Sequence, residues 1–385
     1  MFNHSEKVSF IWSVADLIRD TFKRSKYQDV ILPFTVLRRI DCVLESTHQD
    51  VLQTYNEYKG KLKNLDDLLI RKSGYAFYNT SPYDFQKLVA DADNIAANLK
   101  AYIGGFSENM RGVLEKFDLY NTIDKLSDAG LLFLVVERFS QIDLHPDQVS
   151  NLEMGYVFEE LIRKFNEATN ENPGEHFTPR EVVQLMVELS LGQDADHLRQ
   201  SAEPVWIYDP CCGTGGMLTE GQDHILQIKP KADVRLYGQE VNPETFAVCK
   251  SDLYMKSTDG SDAEYIAYGS TLSDDAHADK RFDYMLSNPP YGKDWKADKK
   301  AINAEAKRGH AGRFGAGTPR INDGQMLFLQ HMLNRMRPTK DGGSRIADIT
   351  NGSPLFTGDA GSGETEIRRW ILENDWLEAI IALPE

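Results

Sequence analysis

The fold is decided by residues 205–216, which run Val205-Trp206-Ile207-Tyr208-Asp209-Pro210-Cys211-Cys212-Gly213-Thr214-Gly215-Gly216. The first four residues are apolar and predict a short buried strand, and a helix is predicted from Met217 onward. A strand, a glycine-rich turn and a helix in this order form the first unit of a doubly wound α/β fold. Glycines let a backbone approach a ligand closely, and Asp209 at the strand tip can accept hydrogen bonds.

The spacing of the glycines restricts the ligand. Gly213, Gly215 and Gly216 give the pattern Gly-x-Gly-Gly, which differs from the Gly-x-Gly-x-x-Gly of dinucleotide-binding folds. The turn also lacks the Gly-Lys-Ser/Thr of a phosphate-binding P-loop. A ligand without a pyrophosphate therefore fits this turn better than a nicotinamide dinucleotide does.

Two further strands are predicted after the first helix. Residues 234–238 form the second, which leads to Glu240, 24 positions after Gly216. Folds that bind nucleosides hold the ribose hydroxyls with an acidic residue at this place, at a spacing of about 20 residues. Residues 263–268 predict the third strand, which leads into a turn that contains Ser270.

A second unusual stretch is Ser287-Asn288-Pro289-Pro290-Tyr291-Gly292, which follows the apolar residues of a fourth predicted strand. The prolines have no backbone N–H, so the carbonyls beside them stay available as acceptors. Asn288 adds a side-chain carbonyl, and Tyr291 adds a flat ring. Two acceptors and a stacking ring suit a planar heterocycle that carries an NH₂ group. A plain loop after a strand would show the same pattern, but the glycine turn upstream favours ligand binding.

Residues 175–181 predict the start of a well-capped helix. Thr178 is placed as the N-cap, Pro179 as the first helical residue and Glu181 as the partner in a capping box. This is the pattern of an ordinary capped helix. It is equally the pattern of a helix whose free N–H groups receive a ligand carboxylate.

The first 144 residues contain no recognisable catalytic pattern. From Phe10 to about Leu144, apolar residues recur with the helical period. This predicts a helical domain for packing or for docking a partner. We therefore expect a helical N-terminal domain over residues 1–150 and a doubly wound, Rossmann-like domain over residues 151–385.

Composition indicates an ordinary globular protein, with 41% hydrophobic and 26% charged residues. No apolar run approaches the ~18 residues that cross a membrane, and the N-terminus lacks a signal-peptide pattern. The four cysteines show no Cys-x-x-Cys spacing, which argues against both a zinc site and a disulfide framework. We expect a cytoplasmic protein that holds no metal.

The net charge of −16 argues against a chain that grips a phosphate backbone over its whole surface. Residues 293–320 are the exception, since they contain eight Lys or Arg and three acidic residues. Four glycines within them predict a flexible loop. A solvated loop would have this composition, but its place directly after Tyr291 favours a contact with nucleic acid.

The last 60 residues complete the α/β pattern. A helix over 325–336, a strand over 345–349, a glycine-rich turn over 351–363 and a helix over 364–373 are predicted. A final strand is predicted over 376–383. Because the chain stops directly after this strand, without a closing helix, we expect a truncated domain.

These residues together resemble the methylation (modification) subunit of type I restriction-modification systems, a family of N6-adenine DNA methyltransferases that use S-adenosylmethionine. The resemblance covers nearly the whole chain. Four motifs carry it, in the order of the family: His176-Phe177-Thr178-Pro179, the Asp209–Gly216 turn, Asn288-Pro289-Pro290-Tyr291 and Asn351-Gly352-Ser353-Pro354-Leu355-Phe356. The tetrapeptide with two prolines also occurs in methyltransferases that act on protein glutamine or on RNA bases, so the combination identifies the family.

The resemblance implies a set of residues that bind S-adenosylmethionine. Gly213 and Gly215 would let the cofactor lie against the turn, Asp209 and Thr178 would meet its methionine part, and Glu240 would hold the ribose. The remaining candidates are His176, Phe177, Thr214, Gly216 and Ser270. The family usually has Asp or Asn where this chain has Ser270, and an apolar residue where it has Asp348.

The resemblance also implies the reaction and the partners. Asn288, Pro289 and Tyr291 would be catalytic residues that act on an adenine flipped out of duplex DNA. A specificity subunit, a restriction subunit and a second methylation subunit would be partners. Cys211 follows a proline, as the nucleophile of cytosine ring-carbon methylation does, but it lies in the cofactor turn and we reject that role. A methyltransferase of protein or RNA and a non-catalytic scaffold remain alternatives.

Overall fold

The computed structural model describes residues 4–169 and 178–383 of the chain. Helices cover most of the first 169 residues, and later helices alternate with strands. The helices are α1 (His4–Trp12), α2 (Val14–Ile18), α3 (Gln28–Leu44), α4 (His48–Tyr58), α5 (Asp66–Ser73), α6 (Phe85–Ala90), α7 (Ile95–Gly104), α8 (Glu108–Leu114), α9 (Leu119–Asp128), α10 (Leu132–Ser140), α11 (Asn151–Thr169), α12 (Arg180–Leu191), α13 (Ala195–Gln200), α14 (Gly216–Ile228), α15 (Pro243–Lys256), α16 (Ser261–Glu264), α17 (Lys299–Ala306), α18 (Gln325–Asn334), α19 (Ser353–Phe356) and α20 (Gly363–Glu373). The strands are β1 (Val205–Asp209), β2 (Val234–Glu240), β3 (Tyr265–Tyr268), β4 (Tyr284–Ser287) and β5 (Arg345–Asp348).

The chain forms two compact units. The first comprises Met1–Phe177 and Asn242–Ile266, and the second comprises Thr178–Val241 and Ala267–Glu385. Helices α1–α11, α15 and α16 belong to the first unit. The second unit contains most of the sheet together with α12–α14 and α17–α20.

The first unit is a helical domain whose core follows the apolar period of its helices. On α3, Phe34 is fully buried, and its ring stacks on Phe139 of α10 at 5.6 Å between centroids. Arg39 on the same helix is also buried, and Nη1 donates to the carbonyl of Val149 at 2.7 Å and Nη2 to Oδ1 of Asn151 at 2.7 Å. These hydrogen bonds satisfy a charge that would be costly to bury alone. The predicted helical character of the N-terminal residues is confirmed.

The strands form a sheet with the order β3-β2-β1-β4-β5 within the described residues. The pairs β1–β2, β1–β4 and β4–β5 are parallel, and Ile207 lies between Leu236 and Tyr284 in register. The central strands β1 and β4 are mostly apolar and buried, as in parallel sheets covered on both faces. The chain order reverses between β1 and β4, which is the feature that defines a doubly wound fold.

Helices cover both faces of this sheet. On one face α14 packs closely because Gly221 has no side chain, and a Cβ there would lie 3.1 Å from Cδ1 of Ile207. On the other face Tyr208 of β1 contacts α18, where its hydroxyl is 2.8 Å from Nε2 of His331. The predicted α/β fold is therefore confirmed.

Parallel strands end at the same edge of a sheet, and several polar candidate residues of the site lie at this edge. Asp209 ends β1, Glu240 ends β2, Ser287 ends β4 and Asp348 ends β5. Ligands of doubly wound folds bind beyond this edge, beside the point where the strand order reverses. The sheet therefore brings the glycine turn and the Asn288 corner to one place.

Residues 293–320 differ from the predicted flexible loop. They contain α17 and pack around a small core of Trp295, Ile302 and Phe314. Arg313, one of the eight predicted nucleic-acid contacts, is buried and inaccessible to DNA. Apolar side chains that the glycine count disregards give the segment a fixed structure.

The predicted final strand over 376–383 is wrong, since these residues are not in a strand. Its apolar side chains are not covered by the described residues, and Ile380 is 61% exposed. The segment touches the sheet through a polar contact, in which Nη1 of Arg345 donates to Glu378 at 3.0 Å.

In the part of the chain that the structure describes, the helices lack the combination of length and apolar character that a membrane span requires.

Candidate active site

The glycine turn after β1 is shaped to admit a ligand. Gly213 and Gly215 adopt left-handed φ angles of 53° and 86°, which side-chain-bearing residues rarely take. Apart from its chain neighbours, no atom of the described residues lies within 4 Å of the place where a Cβ on Gly213 would be. The backbone N–H of Gly213 donates to Oε2 of Glu240 at 2.8 Å. A side chain at position 213 would occupy this space, and glycine leaves it open beside the carboxylate of Glu240.

Asp209 is buried beneath the turn, and the pKa of its carboxyl group is raised. Its Oδ1 accepts hydrogen bonds from the backbone N–H of Cys211 at 3.0 Å and from Oγ of Ser287 at 3.3 Å. Burial, with a smaller contribution from the nearby charge of Glu240, raises the pKa of Asp209 to about 7 against the effect of the hydrogen bonds. Asp209 therefore titrates near neutral pH and responds to any cation placed beside it.

The Asn288 side chain is held by two hydroxyl groups. Nδ2 of Asn288 donates to Oγ1 of Thr178 at 2.8 Å, and the hydroxyl of Tyr291 donates to Oδ1 of Asn288. Pro289 is buried at the same corner, and Tyr291 is half-buried. Burial raises the pKa of the Tyr291 hydroxyl well above its ordinary value, so it stays protonated and can donate. The structure thus brings Thr178, Asn288 and Tyr291 together.

The predicted capping box at α12 is wrong. The N-cap is Pro179, in an extended conformation, and α12 begins at Arg180 without a hydrogen bond from a capping side chain. The hydroxyl of Thr178 accepts from Asn288 instead. Sequence spacing could not reveal this, because the partner is 110 positions away. His176 and Phe177, which precede Thr178, lie outside the described residues.

The ends of β2 and β3 lie side by side. The backbone N–H of Gly269 donates to the carbonyl of Glu240 at 2.9 Å, and this brings Ser270 to the same edge. Ser270 is half-buried in a turn, and its carbonyl accepts from the N–H of Asp274 at 2.8 Å. Val241, directly after Glu240, is 62% exposed at this edge.

Cys211 has the properties of a structural thiol. Its Sγ lies 3.1 Å from Oγ of Ser287. Burial, followed by the charge of Asp209, raises the pKa of the Cys211 thiol well above its ordinary value. Because the thiolate is the nucleophilic form, this environment suppresses reactivity. The rejection of Cys211 as a nucleophile is consistent with this environment.

A buried network fixes the basic segment to the sheet. The guanidinium of Arg313 pairs with Glu305 of α17 and donates to the carbonyl of Thr271 at 2.6 Å. Its Nη1 lies 3.1 Å from Nδ1 of His331, whose Nε2 is hydrogen-bonded to Tyr208. Of the eight basic residues, seven are exposed: Lys293, Lys296, Lys299, Lys300, Lys307, Arg308 and Arg320.

Asp348 carries an unusual buried carboxyl group. Neither of its oxygens has a hydrogen-bond partner among residues 4–169 and 178–383, and both are buried. It lies in register with Ser287 on the neighbouring strand. Burial, followed by the charge of Asp209, raises its pKa well above the ordinary value. An unsatisfied buried polar group lowers stability, so this residue destabilises the strand that carries it.

We expect Asp348→Val to increase the free energy of unfolding by about 1–3 kcal/mol at pH 7.5. A raised pKa means that the folded state keeps a proton that the unfolded state loses above about pH 4, so folding becomes less favourable as pH rises. The increase in the free energy of unfolding that Asp348→Val brings should therefore be smaller at pH 4.5 than at pH 7.5. Urea unfolding at both pH values measures it, with the exposed Asp341→Val as the control. An equal or lower stability than the native chain would contradict the prediction.

Comparison with known proteins identifies the family. The profile of the N-6 DNA methylase family matches residues 150–385, and that of the HsdM N-terminal domain matches residues 7–139. Over 286 residues, the chain is 26% identical to the type I restriction enzyme HindI methylase subunit of Haemophilus influenzae, a match that covers 72% of this chain and 58% of that protein. It is 22% identical over 394 residues to the MjaIX methylase subunit of Methanocaldococcus jannaschii, with 97% and 65% covered.

A solved structure has the same fold. The type I restriction-modification system methyltransferase subunit from Streptococcus thermophilus superimposes with a TM-score of 0.70 at 19% identity, and the match covers 96% of this chain and 79% of that one. The chain thus spans roughly three fifths of the two curated relatives and four fifths of the solved one. The resemblance drawn from the four motifs is confirmed at the level of the family. The chain belongs to the N-6 DNA methylase family and carries an HsdM-type N-terminal domain ahead of its methylase domain.

Proposed function

We propose that this chain transfers a methyl group from S-adenosylmethionine to the exocyclic N6 amine of an adenine extruded from duplex DNA. It would act as the modification subunit of a type I restriction-modification complex, with residues 1–150 as helical domain and 151–385 as methyltransferase domain. One observation carries the proposal: the Asn288–Tyr291 corner ends β4 next to the glycine turn that ends β1. The family match and the names of the relatives support it.

The residues of the turn fit S-adenosylmethionine. The open space at Gly213 suits the close approach of a ligand. The carboxyl group of Asp209 suits an ammonium group, and that of Glu240 suits ribose hydroxyls. Thr178 and the first N–H groups of α12 suit a carboxylate. When bound, the cofactor supplies a methyl group activated by a positively charged sulfur. His176, Phe177, Thr214, Gly215, Gly216 and Ser270 complete the proposed set.

The catalytic residues would make the amine a better nucleophile. The lone pair of an exocyclic amine is delocalised into the ring, which makes it weakly reactive. Oδ1 of Asn288 and the carbonyl oxygen of Pro289 would accept its two hydrogens and localise the lone pair. The same oxygens would stabilise the positive charge that nitrogen gains on methylation, before a proton leaves. Tyr291 would stack on the extruded base and recover part of the few kcal/mol that extrusion costs.

The exposed basic residues between Lys293 and Arg320 would meet the DNA backbone beside this corner. The rest of a chain of net charge −16 is poorly suited to that task, so partners must contribute. We therefore include a specificity subunit, a restriction subunit and a second copy of the chain in the proposed complex. Its substrate would place the complex in the cytoplasm.

Radiolabelled methyl transfer tests the function. The chain would be assayed with its cognate specificity subunit on duplex DNA, on RNA and on protein, and the labelled nucleoside identified. We expect label in N6-methyladenine of DNA. Label in RNA or in glutamine would replace the proposed substrate, and the absence of label from every substrate would favour the non-catalytic scaffold.

Cofactor affinity should depend on pH through Asp209. A bound ammonium group favours the carboxylate, so below the pKa of about 7 binding must first release the proton. The affinity for S-adenosylhomocysteine should then fall by up to about tenfold for each pH unit below 7. Calorimetry between pH 5.5 and 7.5 measures this, since an amino group stays protonated over that range.

Asp209→Asn is the matched control for the pH experiment. The amide cannot titrate, so its binding should be weaker and independent of pH over the same range. A flat profile for the native chain would show that Asp209 does not meet the ammonium group.

A further inference from the structure

Thr178 contacts the amide of the proposed catalytic asparagine. Its Oγ1 accepts the hydrogen bond from Nδ2 of Asn288 at 2.8 Å. On the other side of the amide, the hydroxyl of Tyr291 donates to Oδ1. A carbonyl oxygen has two lone pairs, so Oδ1 can still accept a hydrogen from a substrate amine in this orientation.

The opposite orientation of the amide would block the reaction. If the amide turned by half a revolution, Nδ2 would face the substrate and present N–H groups to an amine that also needs an acceptor. Hydroxyl groups either donate or accept, so two flanking hydroxyls can satisfy both orientations equally well. A third group must therefore determine which of the two amide orientations is populated.

A carboxylate of the bound cofactor can determine the orientation of the Asn288 amide through the hydroxyl of Thr178. A threonine hydroxyl has one hydrogen to donate and two lone pairs with which to accept. If its hydrogen is donated to a carboxylate, the hydroxyl can only accept from Asn288, and this forces Nδ2 toward Thr178 and Oδ1 toward the substrate. Thr178 stands directly before Pro179 and α12, where the N-cap side chain makes no hydrogen bond and the helix N-terminus attracts anions.

We infer that Thr178 is a positioning residue through which a bound carboxylate turns the Asn288 amide oxygen toward the substrate amine. The inference rests on the proposed function and adds a coupling to it, because the bound methionine part of the cofactor favours recognition of the amine and the bound amine favours the cofactor by the same factor. Thr178 acts here through Asn288, in addition to its expected contact with the cofactor.

The first test measures recognition of the amine without turnover. Labelled duplexes with adenine or with purine at the target position differ only in the exocyclic amine, and fluorescence anisotropy gives their affinities for the complex with its specificity subunit. With S-adenosylhomocysteine, the ratio of affinities should favour adenine about tenfold more than with methylthioadenosine, which lacks the carboxylate. Thr178→Val should abolish this difference between the two ligands, and Thr178→Ser, which keeps the hydroxyl, should retain it.

The second test separates positioning from cofactor binding. A carboxylate has two equivalent oxygens, so Asn288→Asp removes the need for an orientation. At saturating cofactor, Thr178→Val should lower kcat about tenfold in the native background and less than about twofold in the Asn288→Asp background. The loss of cofactor affinity should be the same in both backgrounds.

The outcomes are distinguishable from failure of the proposed function. If the native complex does not methylate adenine, the proposed function fails. If it does, and Thr178→Val leaves the adenine-to-purine ratio unchanged or lowers kcat equally in both backgrounds, Thr178 does not orient the amide. Thr178→Ala, which also lacks the hydroxyl, replaces the valine variant if that variant is too unstable to purify.

Discussion

Replacing Asn288 with alanine is expected to lower kcat for adenine methylation by about 10²–10³-fold. The variant lacks one of the two oxygens proposed to stabilise the charge that develops on the amine, and single aligned groups of this kind have effects of that size. The affinity for S-adenosylmethionine should stay nearly intact, because Asn288 donates to Thr178 and accepts from Tyr291, and Thr178 keeps its hydroxyl for the cofactor in the variant. Single-turnover kinetics and calorimetry measure the two quantities separately.

A surface asparagine provides the matched control for this experiment. Asn322 is exposed in the same unit, and Asn322→Ala should leave both kcat and cofactor affinity unchanged. Turnover at the native rate in Asn288→Ala would remove Asn288 from the mechanism. An equal loss of cofactor affinity would instead assign it to cofactor binding.

Tyr291→Ala is expected to lower kcat/KM for duplex DNA by between about 5-fold and 150-fold. Stacking of a base on an aromatic ring is worth about 1–3 kcal/mol, and the truncated side chain cannot provide it. At saturating DNA, the loss of kcat should shrink when the target adenine lies opposite an abasic site, because such a base costs less to extrude and stays extruded without the ring. Methylation rates on the two duplexes measure the effect.

Tyr291→Phe separates the ring from its hydroxyl. The phenylalanine keeps the stacking surface and loses the hydrogen bond to Oδ1 of Asn288, so its loss should stay within about tenfold on both duplexes. If Tyr291→Ala affected both duplexes equally, the tyrosine would support Asn288 without stacking on the base.

The sequence patterns predicted the sheet side of the site well. A short apolar strand that leads into glycines or prolines is a local signal, and residues 205–216 and 284–292 contain the strands and the turn residues of the glycine turn and the Asn288 corner. The parallel order of the strands then brings both to one edge, since strand ends of a parallel sheet coincide. The α/β fold and its motif residues could therefore be predicted from sequence alone.

Other features depend on partners distant in sequence, and local patterns could not reveal them. The hydroxyl of Thr178 belongs by its spacing to a helix cap, but Asn288 competes for it. Glycines in residues 293–320 indicate flexibility, whereas the packing of Trp295 and Phe314 fixes the segment. The residues predicted as a strand over 376–383 join no strand of the described sheet, although β5 lies at its edge. In the first two cases tertiary contacts overrode a local preference.

The burial of Arg313 divides the basic segment into two kinds of cation. One guanidinium, enclosed by Glu305 and the carbonyl of Thr271, fixes the position of the segment against the sheet. Among the seven exposed cations, Arg320 adds to this attachment, since its guanidinium donates to Oγ of Ser353 at 2.7 Å. Substitution among the exposed lysines would change the proposed affinity for a polyanion, while Arg313 and Arg320 keep the segment in place. The affinity for nucleic acid and the structure of the segment would then change independently among related chains.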